Sequence, residues 1–495
     1  MEGLREVFCR FFGGTEGGVL REVFTTMTKL TTILQHFSKI ELNRLEKYLR
    51  SPYFNSSELL VQLFEIWRKQ LDSTKEWTKE KMWQTLCPSE KYDDLKFRKY
   101  NSQLLKLIEG YLAQEEYNAD PLFEASFLMQ AVNNKQLDKL IKTSMRNADL
   151  QSAKRPYKPA EYYLHQYQIQ RNAYNLKDFE EKRTERTNID EIINNLDRFY
   201  LAEKLRYYCT LISQQVIVTI DYELLFIDEI IEHLGKHQYD DFPPIAIYYQ
   251  IYLMQHEIEN KNHFFVFKDL LKKYVINFPP KEANEIYRHA LNYCSDSINA
   301  KHLQFLEEYY NIYVEFIDSK LIFEGAGLTN GHFKNIVTSS LRLKKYDWTE
   351  KFIIEYQKYL DDEVRENLVK FYLAQLNFYK KNFNKVIELL REYEYSDITY
   401  SLNSKTILIA TYYEQNEFET LDFLLESFRV FINRHKQLPT GTKNNYLNYV
   451  KFVKKLMNTY SNDKDAIKKL REEFNETKGV VSANWLNEKI MEFEK

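Results

Sequence analysis

The sequence predicts an all-α fold of stacked helix pairs, and three observations carry that expectation. Glycine is scarce: there are 12 in 495 residues, five of them (Gly3, Gly13, Gly14, Gly17, Gly18) at the very start, where average usage of about 7% would give roughly 35. With only ten prolines as well, the chain has little material for hairpins or phosphate loops and much for helices. Apolar residues recur at intervals of three and four, as in LTTILQHFSKIELNRLEKYLRS, which is the amphipathic helical period. Finally, Trp348, Phe383 and Phe418 open similar segments (WTEKFIIEY, FNKVIELLREY, FETLDFLLESF) at a spacing of 35 residues, the length of a helix–turn–helix repeat unit.

The bulk numbers narrow the function classes. A chain of 495 residues exceeds one ordinary compact domain, but a repeat array escapes that limit because each unit buries its apolar face on its neighbours. Lys+Arg 69 against Asp+Glu 72 leaves a net charge of -3, so no overall field draws in nucleic acid or anionic membrane. Cys9, Cys87, Cys209 and Cys294 are far apart and form no CxxC pair, which points to a reducing, cytoplasmic setting rather than a disulfide framework or cysteine zinc site. No apolar run approaches the roughly 18–20 residues of a membrane span.

Taken in order, residues 1–26 read as a non-native or flexible extension: LREVF occurs twice around FFGGTEGG, and Met27 begins the helical pattern. Residues 27–117 read as a helical N-terminal module, with Pro52 as a stop and Asn55 and Glu58 as a capping box. Its basic cluster, Lys96, Arg98 and Lys99, shares a helix with Asp93, Asp94 and Glu109 and reads as a solvated face. Residues 118–320 form an irregular array of helix pairs. In it, one helix is expected over 160–182, tyrosine-rich at Tyr162, Tyr163, Tyr167 and Tyr174, and Pro279-Pro280 separates two later pairs. LIFEGAGLTNGHF reads as the main hinge, residues 331–434 as regular repeats, and 435–495 as capping helices. In the last helix Ser482 is the expected N-cap, with Glu488 and Lys489 facing outward.

Motifs that would carry chemistry are weak. Gly325, Gly327 and Gly331 lack both the spacing and the βαβ context of a dinucleotide fingerprint, and no GxxxxGK[ST] or GxSxG occurs. His233 and His237 have the i, i+4 spacing of a metal pair, but Gly235 lies between them and the HExxH glutamate is missing, so they read as helix-end residues. His165, His256, His263 and His289 stand isolated. No catalytic, metal or cofactor site is expected.

The repeats offer something sharper. On a helical wheel their first helices are apolar on most sides except for one stripe. Arg342, Asn377 and Tyr412 stand six residues before the aromatic markers, and Asn335, Lys370 and Lys405 thirteen before. Ala374, Phe383, Val386 and Leu390, and roughly Leu408, Phe418, Leu421 and Leu425, match the small, aromatic, small and large positions of tetratricopeptide repeats. Over 331–434 the chain therefore resembles a tetratricopeptide-like helical-repeat protein. Lys351 and Glu355 depart from the pattern in the first unit. The resemblance implies a right-handed superhelix (an α-solenoid) and a concave groove built from Asn335, Arg342, Lys370, Asn377, Lys405 and Tyr412. Such a groove suits a peptide or protein partner with acidic or C-terminal carboxylate groups. The expected function is a cytoplasmic, non-enzymatic interaction scaffold. A nucleic-acid-associated regulator, touching DNA or RNA through 27–117, and an enzyme with a site assembled from several helices are the alternatives.

Overall fold

The structure is a computed structural model that describes residues 29–73, 77–177, 179–184, 186–215, 222–324, 327–391, 398–460 and 463–494; the 1–26 extension lies outside them. The described residues form 24 α-helices and no strand. The first thirteen are α1 (Lys29–Gln35), α2 (Lys39–Leu49), α3 (Glu58–Leu71), α4 (Lys79–Leu86), α5 (Asp94–Ala119), α6 (Pro121–Asn134), α7 (Asp138–Lys154), α8 (Ala160–Leu176), α9 (Phe179–Thr184), α10 (Ile189–Gln215), α11 (Ile227–Lys236), α12 (Pro243–His256) and α13 (Asn262–Tyr274). Then follow α14 (Pro280–Asn299), α15 (Phe305–Asp318), α16 (Asn330–Arg342), α17 (Tyr346–Tyr356), α18 (Arg365–Tyr379), α19 (Phe383–Leu390), α20 (Ile398–Glu414), α21 (Phe418–Arg434), α22 (Thr440–Met457), α23 (Lys464–Glu476) and α24 (Ala483–Phe493). They fall into two compact units that divide at Pro279–Pro280, so the helices of 280–320 belong with the repeats that follow them.

In the first unit, α1 to α5 enclose a core centred on Leu45, Leu63, Phe64, Trp83, Leu104 and Ile108. The capping box of this module is not at Asn55 and Glu58. It is formed by Ser38 and Glu41, whose side chains each bond the other's backbone N–H. Asn55 instead folds its side chain back, accepting from Ser57 N and donating to the carbonyls of Leu49 and Ser57, so the Asx turn wins over the cap. The tyrosine-rich stretch is also shorter than expected: α8 ends at Leu176 and α9 is separate. From there α6 packs on α8, α8 on α10, α10 on α12 and α12 on α13. Pro243 opens α12, where its missing N–H costs nothing.

In the second unit every helix from α14 to α21 packs on the next, and α16 also packs on α18, and α18 on α20. The joint within each pair repeats. Lys301, Lys344, Lys381 and Asn416 have φ values of 70°, 59°, 59° and 59°, the left-handed region that terminates helices. The next residue's N–H then reaches five residues back: His302 to Ser297 O, Lys345 to Ser340 O, Asn382 to Asn377 O and Glu417 to Tyr412 O, at 2.9, 2.9, 2.8 and 3.0 Å. Glycine-poor composition shows its consequence here, because lysine holds a conformation that costs an ordinary L-residue roughly 1–2 kcal/mol.

This turn also fixes the register. The second helices begin at Tyr346, Phe383 and Phe418, so Tyr346, not Trp348, is the structural counterpart of the two phenylalanines. The first step of the repeat is therefore two residues longer than the spacing of the aromatic markers. Thr349 and Ile353 then take the places of Val386 and Leu390 and of Leu421 and Leu425, and all six are buried. Lys351 and Glu355 therefore do not occupy those places. Trp348 serves elsewhere, stacking on Phe352 at 5.5 Å and meeting the Tyr310 ring edge-on at 5.0 Å.

The stack closes on α22 to α24, around Leu425, Phe428, Tyr449, Phe452, Leu486 and Ile490. Ser482 does precede α24, but with φ 53° and no side-chain cap bond. Glu488 is exposed as expected, whereas Lys489 is buried, at 7% exposure.

Candidate functional site

The six stripe positions sit on the first helices α16, α18 and α20. All are half-buried except Arg342, which is exposed. Lys370 and Lys405 occupy equivalent places on α18 and α20, which pack directly on each other, and so do Asn377 and Tyr412. These four hold matched positions, two on each of the two helices. In the corrected register the counterparts of Lys370 and Asn377 on α16 are Phe333 and Ser340, both buried. Asn335 and Arg342 stand two residues off the stripe, because their placement relied on Trp348.

Each side chain has local work. Lys370 Nζ lies 2.6 Å from Glu366 one turn earlier, and Lys405 Nζ sits 5.2 Å from the centre of the Phe431 ring on α21. Asn377 donates to Leu373 O at 2.8 Å and accepts from Asn382 Nδ2 at 3.2 Å, fastening its own turn. Tyr412 packs against the C-terminal core. Asn335 turns inward and donates to the Tyr313 hydroxyl at 3.4 Å. Beside Arg342, burial pushes the Tyr379 phenol up while the guanidinium works in the opposite direction.

Asn335 thereby joins a polar chain that sequence reading did not assemble. The Tyr313 hydroxyl lies 3.2 Å from His332 Nδ1 and 3.5 Å from the Tyr309 hydroxyl, with the His332 ring edge-on to Tyr313 at 5.8 Å. Burial holds His332 and the nearby His289 down to about 4, and Arg288 reinforces this in both, so both rings are neutral at pH 7. Burial also pushes Tyr313 up to about 12. These groups come from α14, α15 and α16, at spacings unrelated to the repeat. No local pattern in the sequence marks them.

The remaining candidates resolve into local contacts. The His233 and His237 rings lie 4.4 Å apart and tilted by 32°, and His233 Nε2 lies 2.8 Å from the Tyr239 hydroxyl. Among the described residues no three His, Cys, Asp or Glu side chains are grouped to hold a metal ion. Lys96 pairs with Glu90 at 3.2 Å and Arg98 with Asp94 at 2.8 Å. Lys158, just before the tyrosine-rich helix, lies over Tyr162 at 5.7 Å, and Arg171 within it lies over Tyr167 at 5.4 Å. Gly327 carries a positive φ of 71° in its interhelical loop, while Gly325 lies outside the described residues. No described helix is long and apolar enough to cross a membrane. Comparison of the chain with protein-family models, with curated proteins and with solved structures finds no match.

Proposed function

We propose that the chain is a non-enzymatic helical-repeat scaffold, a right-handed superhelix of the tetratricopeptide-like kind, that takes a peptide or protein segment along the first helices of its second unit. The observation that carries this reading is the matched placement of Lys370 with Lys405 and of Asn377 with Tyr412. These are half-open polar positions recurring on two helices that pack side by side and are otherwise largely apolar. A segment lying across α18 and α20 would meet the same pair of side chains at each step. A lysine row of this kind favours acidic or carboxylate-bearing partners.

A photocrosslinking amino acid placed at Tyr412, or separately at Phe423, tests the reading. Phe423 is 80% exposed on the second helix α21 and serves as the outer-face control. The reading expects one discrete partner adduct from position 412, lost when Lys370→Glu and Lys405→Glu are combined, with helicity unchanged by circular dichroism. Adducts that form only at position 423, or that survive the double charge reversal, count against it.

A further inference from the structure

Four consecutive pairs in the second unit turn on a residue in the left-handed region, and three of the four choose lysine: Lys301, Lys344 and Lys381. Glycine adopts that conformation freely and asparagine tolerates it, as Asn416 does in the fourth turn. Lysine has no conformational advantage there, so its recurrence at one strained position directs attention to the side chain.

The turns lie side by side along one edge. Lys345, in the second turn, has its Nζ 5.9 Å from the ring of Tyr310, near the start of α15. Lys380, in the third, reaches back to Glu350 at 2.6 Å and Asp347 at 3.7 Å at the start of α17, and Tyr346 and Tyr379 are 6.4 Å apart. Gln415, in the fourth, donates to Asn384 near the start of α19 at 2.8 Å. Along this edge Lys301, Lys344 and Lys381 are exposed, and their ammonium groups make no ion pair with a described residue. Arg342 is exposed beside them, while the nearby acids Asp347 and Glu350 are already engaged by Lys380.

We infer that this edge docks an extended acidic segment of a partner protein, with one carboxylate facing each lysine turn. Where first helices pack directly, as α16 does on α18, they lie about 8–10 Å apart, and extended chain advances about 3.3 Å per residue, so the Lys344 and Lys381 turns match acidic residues at every third position, with Lys301 farther along the same edge. Along a nucleic acid duplex each strand brings a phosphate about every 3.4 Å of helix axis, several charges for each lysine offered. The surface needs none of the side chains Lys370, Asn377, Lys405 or Tyr412, so it stands or falls separately from the groove.

The test uses the full chain and three fluorescein-labelled probes in anisotropy titrations at low salt: acetyl-(Glu-Gly-Ser)5-amide, a peptide of the same composition with its glutamates contiguous, and a 15-nucleotide oligo-dT. The spaced peptide should bind at least five-fold tighter than the block peptide. Combining Lys301→Glu, Lys344→Glu and Lys381→Glu should weaken it at least ten-fold. Combining Lys301→Gly, Lys344→Gly and Lys381→Gly should also weaken it, while raising Tm, which separates loss of charge from loss of fold. Equal binding of spaced and block peptides, tighter binding of oligo-dT, or undiminished affinity in the glycine variant would each overturn the assignment.

Discussion

Lys489 Nζ lies 2.8 Å from the Glu414 carboxylate, joining the last helix α24 to the first helix of the third repeat unit. Glu492 holds the same ammonium at 2.9 Å, and the Trp485 indole donates to Glu414 at 2.8 Å. Lys489→Met would leave Glu414, whose side chain is 19% exposed, with the indole but no counter-charge, a loss of about 3 kcal/mol for a pair this buried. Hydrogen exchange in α24 should accelerate before the rest of the unit opens; unchanged protection there would refute the latch. Burial works against the Lys489 charge, but its bonds to Glu414 and Glu492 outweigh burial and raise its pKa. A raised lysine stabilises the fold fully below its unfolded value, about 10.4, and loses that contribution as pH climbs through the folded one. Alkaline release of α24 is therefore expected in the natural sequence and not in Lys489→Met.

Within the first repeat unit the Thr349 hydroxyl donates to Ser340 Oγ at 2.8 Å, with Lys345 O at the same distance, while Ser340 Oγ donates to Val337 O at 3.0 Å. Ser340→Ala and Thr349→Val should each cost about 1 kcal/mol, the usual net worth of one intramolecular hydrogen bond. Made together they should cost less than the sum, because neither hydroxyl is then left facing an apolar partner. Urea titration of the four proteins of the cycle measures this, and strict additivity would show that the two side chains do not couple.

The same pair marks how far the sequence could be read. The all-helical class, the positions of most helices and the apolar first helices followed from glycine scarcity and the 3.6-residue period, which act locally. The register did not, because Trp348 and Tyr346 are both aromatic and only the turn geometry at Lys344 shows which one opens the helix. Asn335 and Arg342, counted from Trp348, fall two residues off the register that Lys370, Asn377, Lys405 and Tyr412 share when counted from Phe383 and Phe418. Lys489 was read outward because a lysine on a terminal helix usually is; its burial depends on Glu414, 75 residues earlier, which no local pattern reports. The chain of Tyr309, Tyr313, His332 and Asn335 was illegible for the same reason.

Asp296 supplies a pH-dependent test. The residue as a whole is exposed, yet partial burial of its carboxyl pushes it up to about 6. A folded value above the unfolded one means that the neutral acid is preferred in the fold. Stability contributed by protonation is present below about pH 4 and lost as pH rises through about 6. Solvent screening at an exposed side chain limits the effect to less than about 1 kcal/mol, or about 1–3 °C in Tm for a unit of this size. Asp296→Asn should raise Tm by that amount at pH 7.5 and leave it unchanged at pH 4. An equal shift at both pH values would mean that the gain does not come from the ionised carboxylate.

The lysine turns predict a contrast that contacts alone do not. At Lys381, φ is 59° and the side chain is exposed, so Lys381→Gly removes little packing and relieves the left-handed penalty of roughly 1–2 kcal/mol. Glycine loses more freedom on folding, which offsets about 0.5–1 kcal/mol of that. The net is a gain of about 0.5–1 kcal/mol. Asn416 has the same φ of 59°, but asparagine already tolerates that region through local side-chain bonding, so Asn416→Gly should be close to neutral. Thermal unfolding of the two variants in parallel distinguishes them. If Lys381→Gly proves no more stable than Asn416→Gly, then lysine is not strained in this turn, and its recurrence at Lys301, Lys344 and Lys381 loses its significance.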